Sequence, residues 1–289
     1  MEQNREIMKN IQFNSIEENT LNDKLINLYG PKIPGLYTAV KPLFNDPVAI
    51  KPALPLLIEL NDDEAYENAD LRIMVFGRET NNWNDTNERS HCPYGTYDFS
   101  IRSSDDILNE IRGKHLDNEP EIYGIGDIYH SYCYEDNGVG KTIFTRRMKQ
   151  LIHQLGNRFG DRKIEAVWNN VSKIGCGGTD FGKCCRTPTT EIREIERKYF
   201  NVVSDEVKIL KPDIILFLTG FHADTDIKEK FGLSDEAFHP IKDGLFLDRI
   251  DIPGVRYAAR TIHPSRQSKD NLIKHFDALI NDIVNVVQR

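Results

Sequence analysis

Leu71-Arg72-Ile73-Met74-Val75-Phe76-Gly77-Arg78-Glu79 decides how this chain is read. Residues 71–76 are apolar apart from Arg72, and they run on without alternating. A strand buried on both faces of a parallel sheet has this pattern, whereas a strand with one wet face alternates. The run stops at Gly77 and turns charged at Arg78 and Glu79. Residues 164–171, 214–218 and 256–262 form further short apolar runs.

Between and after these runs the apolar spacing becomes helical. Residues 139–159 place Ile143, Met148, Leu151, Leu155 and Phe159 on one stripe, and residues 192–210 place Ile192, Ile195, Tyr199, Val203 and Val207 on another. Residues 272–287 repeat the spacing, with Ser268 positioned as a cap. Strands alternating with helices predict an α/β fold with right-handed crossovers. Residues 238–252 alternate and carry a turn at Asp243-Gly244, which predicts a hairpin at the sheet edge. Residues 1–65 read as an N-terminal extension packed on a body of residues 66–289. Its helix ends at Gly30-Pro31. An extended strap follows, because Pro31, Pro34, Pro42, Pro47, Pro52 and Pro55 punctuate residues 31–60.

A chain of 289 residues with 39% hydrophobic content can bury a large core without disulfides. No apolar run approaches the ~20 residues that span a bilayer. The polar start lacks a signal peptide's apolar stretch, so a cytoplasmic monomer away from membranes is expected. Five cysteines are an odd number for a disulfide framework, so reduced thiols are expected. The net charge of −8 argues against a generic nucleic-acid coat but leaves room for a local basic groove.

Ligands of an open parallel sheet bind beyond the carboxyl ends of its strands. Those ends read Gly77-Arg78-Glu79-Thr80-Asn81, Trp168-Asn169-Asn170-Val171, Thr219-Gly220-Phe221-His222 and His263-Pro264-Ser265-Arg266. An acid, amides, a histidine and hydroxyls thus meet at one rim. Glu79 is the candidate carboxylate, with a helix-start acid as its bland reading. His263 is held out of helical geometry by Pro264, and its bland reading is a structural histidine. Asn169 offers a donor and an acceptor to a planar heterocycle, or else caps a turn. Phe99, in Phe99-Ser100, can stack on a base or belong to the core. Arg78, Lys173, Arg260, Arg266 and Lys269 flank the strand ends and can meet phosphates, or simply face water.

Two other signals are set aside. Gly138-Val139-Gly140-Lys141-Thr142 has Glu135 where a phosphate loop needs glycine, and no strand precedes it. Cys176, Cys184 and Cys185 lack the spacing of a zinc ribbon, so no metal is expected.

Taken together, the strand ends resemble the uracil-DNA glycosylase superfamily. Its first motif, Gly-Gln-Asp-Pro-Tyr, looks like Gly77 to Asn81, and its His-Pro-Ser-Pro looks like His263 to Arg266. Its Phe-Ser looks like Phe99-Ser100, and its Asn-Thr-Val looks like Asn169-Asn170-Val171. The resemblance covers roughly residues 70–289. It implies a three-layer α/β/α sandwich with a four-stranded parallel central sheet, and cofactor-free hydrolysis of an N-glycosidic bond to uracil or another damaged base in DNA. Phe99 would stack on the flipped base, Asn169 would read its edge, and Gly77, Arg78 and Asn81 would complete the base pocket. Glu79 would position water or stabilise the sugar cation, and His263 would donate to a base carbonyl. Ser265, Arg266 and Lys173 would contact the DNA backbone. The chain also departs from the pattern. Glu79 is a methylene longer than aspartate, Thr80-Asn81 stands for Pro-Tyr, and Arg266-Gln267 stands for the Pro-Leu of the apolar wedge. These departures leave a second reading, a protein that binds a nucleobase or nucleotide on the same fold without cleaving it.

Overall fold

The computed structural model describes residues 15–46, 49–79, 129–130, 133–134, 142–177 and 188–288. The chain divides into two compact units. The first takes its described residues from Met1–Glu59, Glu79–Ser131 and Ser172–Ile209, and the second from Leu60–Arg78, Tyr132–Val171 and Leu210–Arg289.

In the first unit, α1 (Leu21–Tyr29) begins at a reciprocal cap. The Thr20 hydroxyl accepts from the Asp23 amide, and the Asp23 carboxylate accepts from the Thr20 amide. A 3-10 turn over Gly30–Lys32 leads into α2 (Ile33–Asn45). The strap expected to be extended is therefore helical through its first half. Pro31 and Pro34 each sit in a first turn, where the missing N–H has no helical partner to lose. Only β1 (Lys51–Pro55) is extended, and it pairs antiparallel with β4 (Ile174–Gly177). The helix expected over residues 192–210 is two helices, α5 (Thr190–Tyr199) and α6 (Val203–Leu210). Phe200 and Val202, both buried, occupy the break between them, so core packing overrides the continuous helical spacing.

The second unit is built on a six-stranded sheet. Its strands are β2 (Leu71–Gly77), β3 (Ile164–Asn170), β5 (Ile214–Phe217), β6 (Phe238–Pro240), β7 (Leu247–Ile250) and β8 (Tyr257–Thr261). They lie in the order β3-β2-β5-β8-β7-β6. The first four are parallel, and β7 and β6 add an antiparallel edge, as the hairpin reading of residues 238–252 expects. Ile73, Met74, Val75 and Phe76 are fully buried, which is why the run does not alternate.

Helices cover both faces of this sheet. On one face Phe76 and Phe217 stack at 4.8 Å, and Phe231 of α7 (Asp224–Phe231) meets both edge-on. On the other, α4 (Ile143–Phe159) buries Met148, Leu151, Leu155 and Phe159. Ile143, expected on that stripe, is instead exposed. The closing helix α8 (Lys269–Val287) packs on α4 and β8, and Ser268 caps it by accepting from the Asn271 amide. Among the described residues no helix is long and apolar enough to cross a membrane.

Candidate functional site

The site of the second unit starts at Gly77, the last residue of β2. Its register partner is Asn170, the last residue of β3. Side chains alternate along a strand, so Trp168 and Asn170 share the Gly77 face while Asn169 points to the other. A Cβ at Gly77 would lie 2.5 Å from Asn170 Oδ1, 3.2 Å from Phe144 Cζ and 3.3 Å from Trp168 Nε1. Glycine is therefore required here by close approach, and the space a methyl would fill is taken by the Asn170 amide.

Asn170 is 1% exposed, and neither its Oδ1 nor its Nδ2 has a hydrogen-bond partner among the described residues. Such groups are rare in folded proteins, because an unsatisfied buried amide costs about 1–3 kcal/mol. Asn169, by contrast, is satisfied. Its Oδ1 accepts from the Asn170 amide at 2.8 Å, and its Nδ2 lies 3.6 Å from Met74 Sδ. The amide that stays open is thus the neighbour of the one the motif resemblance selects.

His263 follows β8 in extended conformation ahead of Pro264. Its Nδ1 accepts from the Ser265 backbone N–H at 3.3 Å, and a nitrogen that accepts carries no proton. That contact suits the tautomer with its hydrogen at Nε2. The imidazole stacks on Phe144 of α4 at 5.5 Å and 29°. Gly220 closes this side. Its φ of +66° with ψ −178° is a conformation reserved for glycine, and its N–H donates to the Thr261 carbonyl at 2.9 Å. A Cβ there would lie 3.6 Å from the His263 amide nitrogen. Gly77, Phe144, Trp168, Asn170 and His263 thus form one cluster at the carboxyl ends of the parallel strands.

The other expected residues fall as follows. Arg78 and Ser265 are half-buried beside Gly77 and His263 along the chain. Glu79 is half-buried and belongs to the first unit. Phe99 and Asn81 lie outside the described residues, as does the Arg266 side chain. Lys173 requires a correction. It is fully buried in the first unit, with Nζ 2.6 Å from Glu206 Oε1, so it is not a surface cation waiting for phosphate. The same Glu206 oxygen accepts from the Tyr29 hydroxyl at 2.6 Å. Burial, and then the Glu206 charge, hold the Tyr29 phenol well above its ordinary pKa and keep it a donor.

Phe144 and Trp168 carry no motif in the sequence and were not among the predicted site residues. Trp168 has a readable signal, since it stands two residues before Asn170 on an alternating strand; Phe144 has none. A separate depression of about 260 Å³ lies at the amino end of β8, lined in part by Arg249 and Tyr257. Both of those side chains are already bonded to Asp282, at 2.7 and 2.8 Å. A ligand there would displace existing bonds, whereas Asn170 has its bonding capacity unused. Among the described residues no cluster of three or more His, Cys, Asp or Glu could hold a metal.

Gly77→Ala is expected to cost about 1–3 kcal/mol of stability, the usual range for overpacking. The Asn170 amide is the group that has to swing aside. Denaturant unfolding of wild type and variant checks this.

The fold and this cluster define an α/β protein with a mainly parallel sheet and a cluster of polar and aromatic side chains at the carboxyl ends of its parallel strands. No protein-family model matches the chain, and no curated protein matches it in sequence.

Proposed function

We propose that the protein hydrolyses the N-glycosidic bond between deoxyribose and uracil, or another damaged base, in DNA. The observation that carries the reading is the Asn170 amide, buried beside Gly77 with a donor and an acceptor both unused. A lactam edge, such as the N3–H and adjacent carbonyl of uracil, offers the complementary pair. Asn170 therefore takes the base-reading role that the motif resemblance gives to Asn169. The four adjacent parallel strands with helices on both faces support the three-layer sandwich with a four-stranded parallel centre that the resemblance implies.

In this mechanism the bond from C1′ to the base breaks with its electron pair leaving on the base. His263 Nε2–H donates to the base carbonyl where that charge gathers. The resemblance would give Glu79 the stabilisation of the sugar cation and the proton of the water whose oxygen bonds to C1′. The resemblance would give Phe99 the stacking on the base, Arg78 and Asn81 places beside it, and Ser265 and Arg266 the backbone contacts.

Incubation with single-stranded oligonucleotides containing uracil, hypoxanthine or xanthine is expected to release the free base. Glu79→Gln and His263→Ala should each lower the rate by about 100-fold or more. A second reading, binding without cleavage, is favoured by Thr80-Asn81 and Arg266-Gln267, which lack the family's tyrosine and apolar wedge. Calorimetric binding of free bases or nucleotides with no base released from any oligonucleotide would establish it in place of the first.

A further inference from the structure

We propose that Phe144 positions the His263 imidazole, setting the plane in which its Nε2–H meets the base carbonyl. This rests on the proposed function above and adds a positioning residue to it.

The backbone of His263 is well held. It is extended ahead of Pro264. It also packs on Gly220, where a Cβ would lie 3.6 Å from the His263 amide nitrogen and 3.9 Å from the His263 Cβ. The ring needs more than this. Rotation of an imidazole about its bond to Cβ is broad and roughly two-fold, so a fixed backbone does not choose the ring plane. The Ser265 backbone N–H donates to Nδ1, but at 3.3 Å that bond is long. A contact at one ring atom also lets the ring tilt about that atom. The Phe144 ring lies across the imidazole face, with centroids 5.5 Å apart and planes 29° apart. A flat neighbour on the face opposes the tilt, because tilting drives a ring edge into it.

Phe144 is fixed in turn. It stands in the first turn of α4, where the Thr142 hydroxyl oxygen accepts from the Thr145 amide at 3.1 Å and caps the helix. Its Cζ would lie 3.2 Å from a Cβ at Gly77, so the absence of a side chain there makes room for the ring. Phe144 thus reaches from the end of β2 to the residue that follows β8. It is half-buried, whereas Met148 and Leu151 of the same helix belong to the core.

The test compares wild type with Phe144→Leu and Phe144→Met, which keep an apolar side chain and remove the flat face. Two readouts are taken: NMR of the histidine ring protons, and steady-state release of uracil from a single-stranded oligonucleotide. His263→Ala identifies the His263 signals by their loss. In both Phe144 variants the His263 ring signals should lose the shielding of the stacked ring and move downfield, with the other histidines in place. The value of kcat should fall by about ten- to a hundredfold with KM unchanged, as when a group is misplaced only for the transition state. His263 signals that stay put, or that move while kcat is unchanged, overturn the positioning role and leave the proposed function standing. So does a fall in kcat accompanied by shifts at the other histidines, which marks a general loosening of the fold. A wild type that releases no base overturns the hydrolysis itself, and the catalytic use of the stack with it.

Discussion

Lys173→Met should lower the free energy of unfolding by about 3–5 kcal/mol, the usual cost of breaking a buried ion pair from one side. The Lys173 and Glu206 side chains are both 0% exposed and 2.6 Å apart. Removing the ammonium leaves the Glu206 carboxylate buried without the cation that faces it, the Tyr29 hydroxyl still donating to it. Tyr29 is itself tied in, since its oxygen accepts from the Ile58 amide at 3.2 Å. The cluster thus joins α1, the segment after β1, the turn before β4 and α6. Whole-protein stabilities are typically about 5–15 kcal/mol, so this one substitution removes a large share. The double variant Lys173→Met with Glu206→Leu should recover most of the loss, because an apolar pair of similar volume removes both desolvation costs. Urea denaturation of the two variants decides the matter. Equal stabilities for Lys173→Met and wild type would mean that water reaches the pair.

Asn170→Ala and Asn169→Ala are expected to fail in opposite ways, although the residues are adjacent. Asn170→Ala removes an amide with no partner among the described residues, so it should change stability by less than about 1 kcal/mol. It should nevertheless weaken base binding or slow base release by about 100- to 1,000-fold, the scale of one lost preorganised polar contact. Asn169→Ala deprives the Asn170 amide of its acceptor and Met74 of its neighbour. It should therefore destabilise the fold by about 1–3 kcal/mol, and it should disturb binding only through the shifted strand end. Parallel unfolding and titration experiments separate the pair. A large binding loss in Asn169→Ala with an unaffected Asn170→Ala would return the reading role to Asn169 and remove the observation on which the proposed function stands.

Much of the architecture is legible in the chain itself, because burial writes periodicity into sequence. Leu71 to Phe76 and Ile214 to Phe217 are continuous apolar runs since both faces of their sheet are covered, and Ser268 announces α8 by the chemistry of its hydroxyl. The same local signals misread residues 33–45, where Pro34 sits in a first turn and Pro42 is carried inside the helix. They also ran α5 and α6 together across Phe200, because spacing alone does not show where the chain turns inward.

The strand-end motifs brought Gly77, Glu79 and His263 into view from the types of residue alone. Which asparagine faces Gly77 was decided by register, since a shift of one residue sends a side chain to the opposite face of the sheet. Phe144 joined the site because α4 lies across that face, and Lys173 left the surface because Glu206, distant in sequence, needed a partner in the interior. Composition and spacing are local properties of a chain. The pairing of one buried group with another is a property of the packed fold, and here it determined which polar side chains are left without a hydrogen-bond partner among the described residues.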